Sequence, residues 1–74
     1  MATKIGAFRF NNERDFMAAK IALYNQLYFD YHNPSNIDYY NSWGYRIIYI
    51  YDGCSDPERA GNICRAFNGV PYND

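Results

Sequence analysis

A nucleophile, a general base or a metal-ligand set requires a few reactive side chains held close together, and this chain carries one histidine and two cysteines. His32 lies in Tyr31-His32-Asn33-Pro34-Ser35-Asn36, a run of turn formers in which a lone imidazole is expected to be solvated. Cys54 is the stronger candidate. Its loop, Asp52-Gly53-Cys54-Ser55-Asp56, leads into a helix start, where the dipole could favour a thiolate. No companion base stands beside it, and the competing reading is an ordinary turn with an exposed thiol.

Cys54 and Cys64 lack the C-x-x-C spacing of a zinc site. The acidic loop has too few oxygens for an EF-hand, and it has one glycine and no following Lys, unlike a phosphate-binding loop. The sequence therefore names no catalytic residue, no metal ligand and no cofactor. Without a secretory context the two cysteines are expected to be reduced thiols.

Charge narrows the remaining classes. The formal net charge is −1 over 74 residues, and Lys4, Arg9, Arg14, Lys20, Arg46, Arg59 and Arg65 are scattered, so no footprint for a phosphate backbone is visible. The acids are equally dispersed, which disfavours a negative surface imitating DNA. Met1-Ala2-Thr3-Lys4 runs straight into alternating residues, so neither a signal peptide nor a membrane span is expected. A cytoplasmic location follows as an expectation, the host cytoplasm if the chain is viral.

Burial must come largely from aromatic rings, since the chain has nine Tyr, five Phe and one Trp. Lys4 to Phe10 alternate as a strand, with Lys4, Gly6, Phe8 and Phe10 on one side and Ile5, Ala7 and Arg9 on the other. Asn12 with Asp15 predicts a capping box opening a helix from about Glu13 to about Phe29. Phe16, Ala19, Leu23 and Leu27 form its apolar stripe. The run from Tyr31 to Asn36 ends that helix in a loop.

Ile37 to Asn41 can form a strand, although Tyr31 to Trp43 also reads as one long loop. Gly44 to Tyr51 is the strongest strand, β-branched and aromatic throughout, and is expected to be central. Ser55-Asp56-Pro57-Glu58 predicts a second helix, with Ser55 as cap and Glu58 three residues later. Ala60, Ile63, Cys64 and Phe67 share its buried face, and Asn68-Gly69 closes it. The order β-α-(β)-β-α, with a brief terminal strand at Val70 to Tyr72, implies one α+β domain. It resembles the ferredoxin-like plan, or a truncated variant of it, with two helices on one face of a small antiparallel sheet.

Two helices can cover one sheet face only, whereas the strong strand is apolar on both. Ile48 and Ile50 point one way and Tyr45, Ile47, Tyr49 and Tyr51 the other, so one apolar face is left for a partner or for the 30–44 loop to cover. Tyr39, Tyr40 and Trp43 are the exposed-aromatic candidates beside it, with Trp43 alternatively sealing the core edge. The expected function is therefore protein binding through Tyr39, Tyr40, Trp43, Tyr45, Ile47, Tyr49 and Tyr51, without catalysis, with a homodimer or another protein as occupant.

In general style such a chain resembles small phage-encoded proteins that block a host or defence protein, without a motif that carries the likeness. The alternatives are a structural homo-oligomer and binding of RNA or single-stranded DNA. For the latter, Gly44-Tyr45-Arg46-Ile47-Ile48 follows part of an RNA-binding strand pattern, with Phe8 and Phe10 as further rings. It lacks the preceding basic residue, and Ile47 replaces an expected ring.

Overall fold

The computed structural model describes residues 3–27 and 36–73. The elements are β1 (Lys4–Arg9), α1 (Glu13–Leu27), β2 (Ile37–Ser42), β3 (Tyr45–Tyr51), α2 (Pro57–Ala66) and β4 (Val70–Pro71). The strands form one antiparallel sheet in the order β2-β3-β1-β4, the strand order of a ferredoxin-like β-α-β-β-α-β plan. The anticipated α+β class is the one observed.

Asn12 starts α1 by accepting a hydrogen bond from the Asp15 backbone N–H at 2.8 Å, and its side-chain amide donates to Asp15 Oδ2 at 3.0 Å. Phe16, Ala19 and Leu23 are buried, with Leu27 packed at the margin. The expected helix end at Phe29, the loop Tyr31 to Ser35 and His32 lie outside the described residues.

For α2 the cap is one residue later than anticipated. Asp56, not Ser55, accepts from the Arg59 backbone N–H at 3.1 Å, which places Pro57 at the first helical position, where its missing N–H costs nothing. The helix closes in a Schellman motif. The Asn68 and Gly69 N–H groups donate to the carbonyls of Arg65 and Cys64 at 3.0 and 2.8 Å, and Asn68 takes the left-handed conformation with φ of 67°.

The core lies between the helices and one face of the sheet. Phe8 from β1, Phe10 just after it, Ile37 from β2 and Ile48 and Ile50 from β3 meet Phe16, Ala19 and Leu23 of α1, and Ala60, Ile63 and Cys64 of α2. Cys54 joins them, so the exposed thiol considered above is in fact buried.

Of the stretch that also reads as a long loop, Ile37–Ser42 is strand, and residues 31–35 lie outside the described part. Ile37 to Ser42 pairs with β3 over its whole length, from Ile37 opposite Ile50 to Ser42 opposite Tyr45. Alternation of Ile37 and Tyr39 inward with Asp38 and Tyr40 outward explains why this polar segment joins the sheet. Residues 36–44 therefore extend the sheet sideways and do not fold across it.

Candidate functional site

The sheet registers sort the side chains by face. Phe8 pairs with Ile48 and Tyr39 with Ile48, so these residues share the helix-covered side. Ala7 pairs with Tyr49, Arg9 with Ile47, and Tyr40 with Ile47, which places this set on the open side. One row crosses all four strands: Tyr40, Ile47, Arg9 and Val70. A second row carries Asp38, Tyr49 and Ala7.

A bulge between Lys4 and Gly6 breaks the β1 alternation. It sets Lys4 opposite Tyr51, moving it from the Phe8 side, where simple alternation put it, to the open side. There the Lys4 ammonium lies 4.9 Å from the Tyr49 ring centroid, and the Arg9 guanidinium 4.8 Å from that of Tyr45.

The two ends of the open face differ. Toward the β2–β3 hairpin, Tyr40 and Tyr45 are about half exposed, at 49% and 47%, and Val70 is exposed beside Arg9. Toward the other end Tyr49 and Tyr51 are half-buried, near Lys4 and Asp38. Ile47 stands centrally at only 3% exposure, although neither α1 nor α2 as described covers that side; Tyr40, Arg9, Tyr45 and Tyr49 surround it in the register.

The hairpin itself is a two-residue turn, Trp43-Gly44, between the paired Ser42 and Tyr45. Both turn residues have positive φ, 52° and 82°, as a type I′ turn requires. Trp43 is 95% exposed. It does not seal the core edge.

Of the seven candidates, the structure gathers Tyr40, Tyr45, Ile47, Tyr49 and Tyr51 on the open face and sets Trp43 at its rim. Tyr39 is separate. Its ring makes an edge contact with Phe16 at 6.0 Å, and the Lys20 ammonium sits 3.6 Å from its centroid. Burial there lowers the Lys20 pKa, against an opposing pull from Glu13. Phe8 and Phe10 are buried under the helices and cannot stack on bases.

The structure adds Arg9, Lys4 and Val70 to the open face. Once Phe8 and Phe10 are assigned to the core, β1 alternation alone puts Arg9 outside; only the bulge hides Lys4.

Among the described residues no three of His, Cys, Asp and Glu are arranged to hold a metal ion. Cys64 is fully buried, and burial pushes its thiol up to about 12 despite the neighbouring Arg65. A groove of about 840 Å³ opens between β1 and α2, since β4 pairs only with Phe8 and Arg9. Its lining holds Lys4, Arg65 and one carboxylate, Glu58, with neither histidine nor cysteine. No helix among the described residues is long and apolar enough to cross a membrane.

No protein family, no curated protein and no solved structure matches this chain.

Proposed function

We propose that this chain is a binding domain without catalytic activity, which holds a protein partner on the hairpin half of its open sheet face. The observation that carries this reading is the exposure of Tyr40, Tyr45, Trp43 and Val70 around an already buried Ile47, on the side away from both helices. A partner would meet tyrosine rings, their hydroxyls, an indole and the Arg9 guanidinium. Tyr, Trp and Arg are the residues that concentrate binding energy at non-obligate interfaces.

The same composition favours a different protein over a second copy. Obligate dimers bury surfaces resembling a hydrophobic core cut in half, whereas the aliphatic centre here is covered within the monomer. For a domain of this kind the simplest action is to occupy a partner's surface and so block or bridge it. Nucleic acid is the weaker reading, because β1 offers Ala7 and Arg9 to the open face where stacking rings would be needed.

Affinity capture from an extract of the source cells, with mass spectrometry and sedimentation of the purified chain, tests the reading. The expected result is a specific protein bound to a chain that sediments as a monomer. Recovery of RNA or DNA, with binding that falls steeply as salt is added, would replace it with the nucleic-acid reading. A stable dimer that covers Tyr45 would assign the face to a second copy.

A further inference from the structure

Trp43 carries two independent disadvantages for the folded chain. Its ring is 95% exposed, so folding buries almost none of it. Its φ of 52° lies in the left-handed region, where a bulky side chain crowds the backbone and where Asn, Asp or Gly would be favoured in a turn of this type. Gly44, the other turn residue, follows that rule, with φ of 82° and open space around it. Neither packing nor turn formation accounts for an indole at this position.

The geometry points to Trp43 as a preorganised anchor that enters an indole-sized apolar pocket on a protein partner, tip first, with Tyr40 and Tyr45 meeting the rim of that pocket. This rests on the reading above that the hairpin half of the face binds a protein. A two-residue hairpin fixes the backbone beneath the ring, so little backbone ordering entropy remains to be lost on docking.

The charges around the tip select this occupant. Arg46, the nearest cation in sequence, donates to Glu13 at 3.0 Å and to the Gly44 carbonyl at 3.3 Å, and its charge is neutralised there. Arg9 is engaged with the Tyr45 ring. Ser42, Gly44 and Asn41 are otherwise polar or small. A phosphate backbone or an anionic lipid surface would need a collar of free cations; a neutral protein pocket does not.

Trp43 is the only tryptophan, so 5-fluorotryptophan gives one ¹⁹F resonance that reports on it alone. The labelled protein is titrated with the protein it captures from extract, purified, and separately with poly-uridylate and with phosphatidylcholine–phosphatidylserine vesicles. The captured protein is expected to shift the resonance and remove its solvent accessibility, and Trp43→Ala to weaken binding about 30-fold or more. Trp43→Asn should weaken binding equally while raising the melting temperature by roughly 4–8 °C, since Asn-Gly suits this turn.

Capture that survives Trp43→Ala within about threefold, but fails when Tyr45 is removed, would overturn the anchor and leave the interface reading intact. A shift produced by RNA or by vesicles instead, or no captured protein at all, would overturn both.

Discussion

The Arg9 guanidinium lies 4.8 Å from the Tyr45 ring centroid, linking β1 to β3 across the open face, two residues along β3 from Ile47, the register partner of Arg9. An exposed cation–π pair contributes only about 0.5–1 kcal/mol to folding, so its removal should leave the domain standing. Tyr45→Ala is expected to lower affinity for the partner by roughly 1–3 kcal/mol with a small change in melting temperature. Tyr39→Ala should behave oppositely, because that ring packs on Phe16 under Lys20. Calorimetric titration beside thermal melts of the two variants separates the cases. Equal loss of stability in both would remove Tyr45 from the interface.

Gly69 is required by proximity and not by a left-handed φ. A Cβ there would come within 2.7 Å of the Cys64 carbonyl oxygen and 2.9 Å of the Phe10 ring. The first neighbour is helix backbone and the second is fully buried, so neither gives way cheaply. Gly69→Ala should destabilise the fold by roughly 1–3 kcal/mol in urea titration. Gly44→Ala removes no space but strains a φ of 82° and should loosen the hairpin alone.

Much of this fold is readable locally. The capping pair Asn12 and Asp15, the Phe16-Ala19-Leu23 stripe and the apolar strand to Tyr51 each follow from spacing over a few residues. What escapes has a non-local cause. Ile37-Asp38-Tyr39-Tyr40-Asn41-Ser42 is a strand because β3 lies beside it, and its own composition leaves loop and strand open. Lys4 reaches the open face through a bulge that no periodicity announces. Choosing Asp56 over Ser55 as cap depends on Pro57 taking the first helical position, a competition between two good caps. The candidate face is legible in β3, yet Tyr39 separates from it only once the β2 register is known.

The two cysteines invite a test of inertness. Cys64 has no exposed surface and a thiol pushed up to about 12, so almost none is thiolate at neutral pH. Iodoacetamide should label native Cys64 only through unfolding, and denaturant should release the reaction. Cys64→Ser leaves a hydroxyl in an apolar site and is expected to cost roughly 1–3 kcal/mol, more than Cys64→Ala. Partner binding by the alanine variants at Cys54 and Cys64 should match that of the parent protein. Loss of binding in folded Cys54→Ala would return that thiol to the functional site.

Asp15 joins the start of α1 to the end of α2, accepting from the Asn12 side chain at 3.0 Å and from the Asn68 side chain at 3.2 Å. These two hydrogen bonds, with a lesser contribution from Arg14, hold its carboxyl below the ordinary range and outweigh partial burial. A carboxylate whose folded pKa is depressed stabilises the native state above its unfolded pKa, and that contribution disappears as pH falls through the folded value. The parent chain should therefore lose stability on acidification below the usual carboxylate range, in part through Asp15. Asp15→Asn keeps a carbonyl oxygen for both donors but cannot titrate. Its melting temperature should lie below the parent's at neutral pH, and the difference should shrink as pH falls into that acid window. Asn68→Ala provides the control, because it removes one of the two bonds and should reduce the same acid-dependent difference without abolishing it. Parallel melting curves for the parent and Asp15→Asn, with a constant separation from neutral pH to the acid limit, would show that Asp15 contributes nothing through its charge.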